Sequence, residues 1–117
     1  MNSSVAFAMI FKNDVDVLPV CLESIKGLYD ELWAVDTGST DGSRDLFGKA
    51  GAKIIDFTWV NDFAAARNAA WTQIKTDLKF WIDSDDLICG HENWDYMIRR
   101  MEEENLDGVC LEYLYAF

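Results

Sequence analysis

Apolar residues in this chain fall into short unbroken runs that alternate with stretches repeating at helical spacing. VAFAMIF (5–11), ELWAVD (31–36), AKIIDF (52–57) and LKFWID (78–83) are runs of the first kind, and GVCLEYLYAF (108–117) is another. Runs of this length suit strands buried on both faces of a sheet. Between them, Leu18, Cys21, Leu22, Ile25 and Leu28 recur at helical spacing and predict a helix over 16–27. Pro19 is tolerated because it falls in the first turn, and Gly27 suits the end. A short helix is expected over 42–49, capped by Thr40 or Asp41 and closed by Gly51. NDFAAARNAAWTQIKT (61–76) reads as a helix capped by Asn61 or Asp62. HENWDYMIRRMEEEN (91–105) is a further helix, with Trp94, Ile98 and Met101 along one face.

The order is β-α-β-α-β-α-β-α-β, with no internal repeat, linker or low-complexity tract. Such alternation implies an α/β fold: a mostly parallel, doubly wound sheet with helices on both faces, making three layers. The 117 residues suffice for a single domain over 1–117, and 50% are hydrophobic, enough to form a core.

Composition narrows the partners. The formal net charge is −11, which excludes nucleic acid and anionic membranes, where Lys and Arg must supply the attraction. An anionic ligand would need help from a metal or a helix N-terminus. Cys21, Cys89 and Cys110 are odd in number and lack CxxC spacing, so they read as small buried hydrophobes in a reducing compartment. His91 has no Cys or His nearby and suits a helix start. No basic leader and no apolar stretch of membrane-spanning length is present, which predicts a soluble, cytoplasmic chain.

In a parallel sheet all strands end on one edge, and ligands bind outside those ends where the strand order reverses. The first run ends at Lys12-Asn13-Asp14, the second at Asp36 and the fourth at Asp83-Ser84-Asp85-Asp86. Carboxylates gathered at one site either take up protons or are neutralised by a cation. Asp-x-Asp presents two carboxylates on one side of an extended segment, which suits Mg²⁺ or Mn²⁺ with open positions for phosphate oxygens. Acidic turns are common, so the motif alone is weak. Its place at the end of an aromatic strand strengthens it. Structural readings stand beside the functional ones. Asp36 can close an Asx-turn, Arg67 can pair with Asp62 or Asp77, and Glu102-Glu103-Glu104 can be a solvated helix end. Trp59, Trp71, Trp81 and Trp94 are expected in the core.

The blocks MIFKND, LPVCLESIKGLYDELWAVDTGSTDGSRDLFGKAGAKIIDFTW, NDFAAARNAAW and LKFWIDSDDLI resemble, in order and spacing, the family 2 glycosyltransferases of the GT-A fold. The resemblance runs from about Val5 to Ile88 and more loosely beyond. It implies a Rossmann-like nucleotide-diphospho-sugar transferase fold and a glycosyl transfer with inversion. It further implies that Lys12 and Asn13 line the base, that Asp36 hydrogen-bonds it, and that Arg67 reaches the base or the phosphates. Asp83 would lie near the ribose and Asp85 would hold the metal, Mg²⁺ or Mn²⁺, on the diphosphate of a nucleotide-diphosphate sugar, a UDP-sugar being favoured.

The same resemblance places the acceptor half and the catalytic base after the segment where this chain ends. Glu92, Asp95 and Glu112 remain as acids, none in a block that matches the base, so no catalytic residue and no acceptor is assigned. A nucleotide-sugar-binding module without transferase activity is the alternative. A nucleotidyltransferase is disfavoured because MIFKNDVD carries no glycine for a phosphate loop. The apolar VCLEYLYAF predicts self-association through the last strand.

Overall fold

A computed structural model of the chain describes residues 4–86 and 94–104. Four strands, β1 (Val5–Phe11), β2 (Glu31–Asp36), β3 (Lys53–Asp56) and β4 (Leu78–Trp81), form one sheet in the order β3-β2-β1-β4. Every pairing is parallel. The helices are α1 (Leu18–Ile25), α2 (Ser43–Lys49), α3 (Phe63–Trp71) and α4 (Trp94–Glu104). Among the described residues, no helix is long and apolar enough to cross a membrane. The expected strand over 108–117 lies outside the described residues, as do Cys89, Cys110, His91, Glu92 and Glu112.

The two faces of β1 differ in size, and this decides how the layers stack. Phe7, Met9 and Phe11 point to one side and join Leu18, Cys21 and Ile25 of α1, Phe47 of α2 and Trp94 of α4. Ala6 and Ala8 point to the other side, where Ala70 of α3 and Ile74 pack with Trp33 and Val35 of β2. Alanine on both sides of that contact lets α3 lie close to the sheet. On the bulky face, Phe11 and Phe47 rings meet at 4.4 Å and Phe7 stacks on Trp94 at 5.7 Å. Such contacts combine apolar burial with favourable ring geometry. The result is the expected three-layer α/β/α arrangement.

Helix ends depart from the pattern-based expectation for local reasons. Asn61 sits at φ 58, outside helical space, so Asp62 becomes the cap and accepts from the Ala65 N–H at 3.2 Å. The helix stops at Trp71 rather than 76. The Gln73 side-chain Nε2 and the Lys79 ammonium donate to the Ala69 and Trp71 carbonyls at 2.6 and 2.9 Å, satisfying the last turn. α2 is not capped by a Thr40 or Asp41 side chain at the N-cap position, which is Gly42. Asp41 Oδ1 instead accepts from the Ser43 amide at 2.9 Å and from its hydroxyl at 2.6 Å. At the end of α1, Gly27 takes φ 84, a conformation that favours glycine.

The sheet order places the reversal between β1 and β4. The chain steps outward from β1 to β2 to β3, then crosses back to lay β4 on the free side of β1. The last paired residues are Ala8 and Trp81. Ile82 still donates to the Ala8 carbonyl at 3.1 Å, and there the chain turns away. Met9, Ile10 and Phe11 therefore run past the end of β4, and a crevice opens beside them.

Candidate functional site at the carboxyl edge

Three loops meet at this edge: 12–17 after β1, 37–42 after β2 and 82–86 after β4. The last carries the acidic cluster. LKFWID was expected to remain extended through Asp83, but β4 ends at Trp81. Asp83 opens a turn, with the Asp86 N–H donating to the Asp83 carbonyl at 3.0 Å and Asp86 Oδ2 accepting from the Asp83 N–H at 2.9 Å. The carboxylates converge because the chain folds back, not because alternate residues share one side of a strand. One oxygen from each of Asp83, Asp85 and Asp86 lies within 4.8 Å of the other two. Asp83 and Asp85 are exposed. Burial, then the charges of Asp86 and Asp85, push the Asp83 carboxyl above its ordinary value of 3.8, while Arg67 pulls it back.

A cleft of about 280 Å³ adjoins this turn, lined by Ile10, Phe63, Arg67, Trp81, Asp83 and Ser84. Arg67 reaches it from the middle of α3. Its guanidinium lies over the Trp81 ring, 4.6 Å from the centroid. The alternative ion pairs with Asp62 or Asp77 do not form. Asp62 caps α3, and Asp77 accepts from the Ser4 amide at 2.9 Å. Arg67 instead sits over an aromatic face, and its charge acts on Asp83. Trp81 lines the cleft, so it is more than core. Trp59, also expected in the core, is 36% exposed and donates to Asn61 Oδ1 at 3.0 Å.

Asp36 occupies a different setting. It is buried at the end of β2, in register with Phe11 of β1. Its Oδ1 accepts from the Gly38 and Ser39 amides at 2.9 and 2.7 Å, closing the Asx-type turn. Its Oδ2 pairs with Arg44 at 2.8 Å, and the same guanidinium also meets Asp56. Burial would raise its pKa, but Arg44, the amides of Ser39 and Gly38 and the Ser39 side chain outweigh it and hold the carboxyl below its ordinary range. Both oxygens of Asp36 are therefore engaged from within the fold.

Asn13 stitches the first two loops together. At φ 52, its Oδ1 accepts from the Thr40 and Asp41 amides at 2.7 and 3.2 Å, and its own N–H donates to Ser39 Oγ at 3.1 Å. Asparagine tolerates this left-handed backbone better than most residues. Lys12 is exposed and its side chain lies beside Gly38, whose φ of 121 suits glycine. Lys12, Asn13 and Asp36 thus stand on one side of the edge, and Arg67 with Asp83, Asp85 and Asp86 on the other. Asp95 is elsewhere. It lines a separate cleft of about 770 Å³ with Val5, Tyr29 and Asp30, at the amino edge of the sheet.

Sequence reasoning missed Arg44, which holds Asp36, and the hydroxyls of Ser43 and Ser84, which tie the loops. Arg44 sits in the first turn of a short helix and carried no recognisable signal. Ser84 lay in plain view as the middle of Asp-Ser-Asp.

The model of the family described as glycosyl transferase family 2 matches residues 6–117. A TPR repeat-containing protein of Synechococcus elongatus is 38% identical over 84 residues, covering 72% of this chain and 21% of that protein. Among solved structures, S. aureus TarS (residues 1–349) superposes with a TM-score of 0.76 at 19% identity, over 94% of this chain and 38% of that one. Glucosyl-3-phosphoglycerate synthase from Mycobacterium tuberculosis, in complex with Mn²⁺, UDP and glucosyl-3-phosphoglycerate, gives 0.62 at 21% identity over 92% and 41%. A mannosyltransferase from Pyrobaculum calidifontis, in complex with GDP-Man and Mn²⁺, gives 0.65 at 17% identity over 86% and 33%. The chain therefore spans about a fifth to two fifths of the length of these proteins.

Proposed function

The chain belongs to glycosyl transferase family 2, and on that premise we propose that its carboxyl edge binds a nucleotide-diphosphate sugar, with UDP favoured as the nucleotide, through a divalent cation. The observation that carries this reading is the convergence of three carboxylate oxygens within 4.8 Å at the point where the strand order reverses. Carboxylate oxygens of this kind are the ligands that Mg²⁺ or Mn²⁺ takes from protein, one or two at a time, alongside the phosphates of a substrate. Asp85 and Asp83 would hold the ion. When bound, it would neutralise the diphosphate and stabilise the departing nucleotide. Solved structures of the same fold with Mn²⁺ and UDP, or with GDP-Man and Mn²⁺, support the assignment.

The chain's own residues take distinct parts. Arg67, fixed on Trp81, directs positive charge into the cleft and suits a phosphate or the base. Lys12 and Asn13 border the base on the other side. Asp36, fixed by the Gly38–Ser39 turn and by Arg44, would accept from a base N–H at the end of β2. Transfer to an acceptor, with inversion, is the activity proposed for the whole protein.

Calorimetric titration with UDP tests the reading. UDP should bind in the presence of Mn²⁺ and lose measurable affinity when the metal is chelated or when Asp85→Ala is introduced. Failure of UDP and GDP alike to bind with Mn²⁺ present would overturn it. Sugar transfer or donor hydrolysis that disappears in Asp85→Ala marks an enzyme, whereas binding without turnover marks a nucleotide-sugar-binding module.

A further inference from the structure

The acidic turn is not free-standing, and what anchors it comes from the β1–α1 unit. Ser84, between Asp83 and Asp85, is 8% exposed and turns inward. Its hydroxyl donates to Asp14 Oδ2 at 2.6 Å, across 70 residues of chain. That distance lies in the short range of hydroxyl–carboxylate bonds, which are stronger than neutral ones. The same Asp14 Oδ2 accepts from the Lys12 amide at 3.3 Å. The Asp14 amide donates to Ser43 Oγ at 2.9 Å, and the Ser43 hydroxyl donates in turn to Asp41. From α1, the Cys21 thiol donates to the Asp83 carbonyl at 3.6 Å, a weak bond that fixes the first peptide of the turn. One continuous chain of bonds therefore runs from the acidic turn through Asp14 to the loop carrying Lys12 and Asn13 and on to the start of α2.

The geometry points to Asp14 and Ser84 as positioning residues. Their bond sets the acidic turn against the Lys12–Asn13 loop, so that metal and base are held at one fixed separation. This rests on the metal–diphosphate reading of the edge. The mechanism is mechanical: three like charges in one turn repel, and without an inward tether the turn relaxes by splaying them apart. With the tether, the carboxylate oxygens stay close enough to share a cation. Groups that orient metal ligands in this way typically carry about ten- to a hundredfold of metal affinity.

Two measurements test it, and they separate its failure from failure of the site assignment. In the first, Mn²⁺ alone is titrated and free ion counted by its paramagnetic resonance. Ser84→Ala should weaken Mn²⁺ by about tenfold, with a melting temperature close to the parent. Ser84→Thr, which keeps the hydroxyl, should recover most of the loss. Asp14→Ala should weaken the ion similarly, and the double substitution no further, because both remove one bond. Mn²⁺ affinity in Ser84→Ala within twofold of the parent, or simple additivity of the two losses, would overturn the inference. In the second, amide hydrogen exchange of residues 83–86 is followed without metal. Faster exchange in both single variants is expected, and unchanged exchange would overturn the inference independently. If the parent binds no Mn²⁺ yet exchange accelerates, the tether stands and the metal assignment falls.

Discussion

Two aspartates stand at the same sheet edge, with β1 between their strands, in opposite electrostatic settings. Asp36 is buried with a guanidinium on one oxygen and two backbone amides on the other. Its charge is answered from within the fold, and its pKa is lowered. Asp83 sits in a turn with two further carboxylates, and the cation that acts on it, Arg67, lies over the Trp81 ring. Its pKa is raised. An acid whose partners are supplied by the chain organises structure. An acid whose charge is left unbalanced beside others is available to a ligand. The edge thus divides into a pre-satisfied half and a half that gains from an external cation.

The two halves should respond oppositely to loss of charge. Asp36→Ala strands the Gly38 and Ser39 amides and leaves Arg44 with Asp56 alone, and should destabilise the fold by ~2 kcal/mol, read in urea unfolding. Asp83→Asn removes repulsion and should raise the melting temperature slightly at neutral pH. The pH dependence follows from the signs. Asp36, lowered in the folded state, contributes stability above its ordinary 3.8 that is lost as pH falls through its depressed value. Asp83, raised, contributes stability below 3.8 that is lost as pH rises through its elevated folded value. The advantage of Asp83→Asn should therefore fade as acid is added, and the deficit of Asp36→Asn should fade too once the pH drops below the folded value of Asp36. Both variants shifting stability in the same direction at neutral pH would break the contrast.

A smaller effect is expected at Arg67. Arg67→Ala removes the cation that restrains Asp83, and should raise that carboxyl's pKa further in carbon-detected NMR titration while changing Trp81 fluorescence. Loss of the ring contact itself should cost about 0.5–1 kcal/mol. An unchanged Asp83 titration would place Arg67 outside the acidic half. The smallest effect concerns Cys21, whose pKa is pushed up to about 12 by burial and by Asp86, Asp85 and Asp83. It should resist alkylation by iodoacetamide at pH 8 in the folded protein and react once urea is added. Rapid labelling of the native chain would show that α1 does not hold the thiol against the acidic turn.

Much of the fold was legible in the pattern. The four described strands, their parallel order and the helices between them follow from apolar runs alternating with helical spacing, since burial on two faces demands such runs. The family blocks marked Lys12, Asn13, Asp36, Arg67, Asp83 and Asp85 as candidates. Less legible were the ends of elements. β4 stops at Trp81, where the Asp83–Asp86 turn takes up the next backbone groups, and α3 stops at Trp71, its last carbonyls accepting from the Gln73 and Lys79 side chains. The alternative reading of Arg67, paired with Asp62 or Asp77, fails because proximity along the chain says nothing about a ring brought in from another strand.

By itself, the amino-acid sequence determined the periodicities, the Gly27, Gly38 and Gly51 positions that require left-handed backbone, and the acidic and amide-bearing residues that close each strand. These are properties of a residue and its near neighbours. Tertiary structure alone decided which carboxylate was paired and which was left over. Arg44 reaches Asp36 and Asp56 because β2 and β3 lie side by side. Ser84 meets Asp14 because the chain crosses back to place β4 against β1. Hydrogen bonds act over about 3 Å, so groups distant in sequence acquire partners only when the sheet order has set them at one edge.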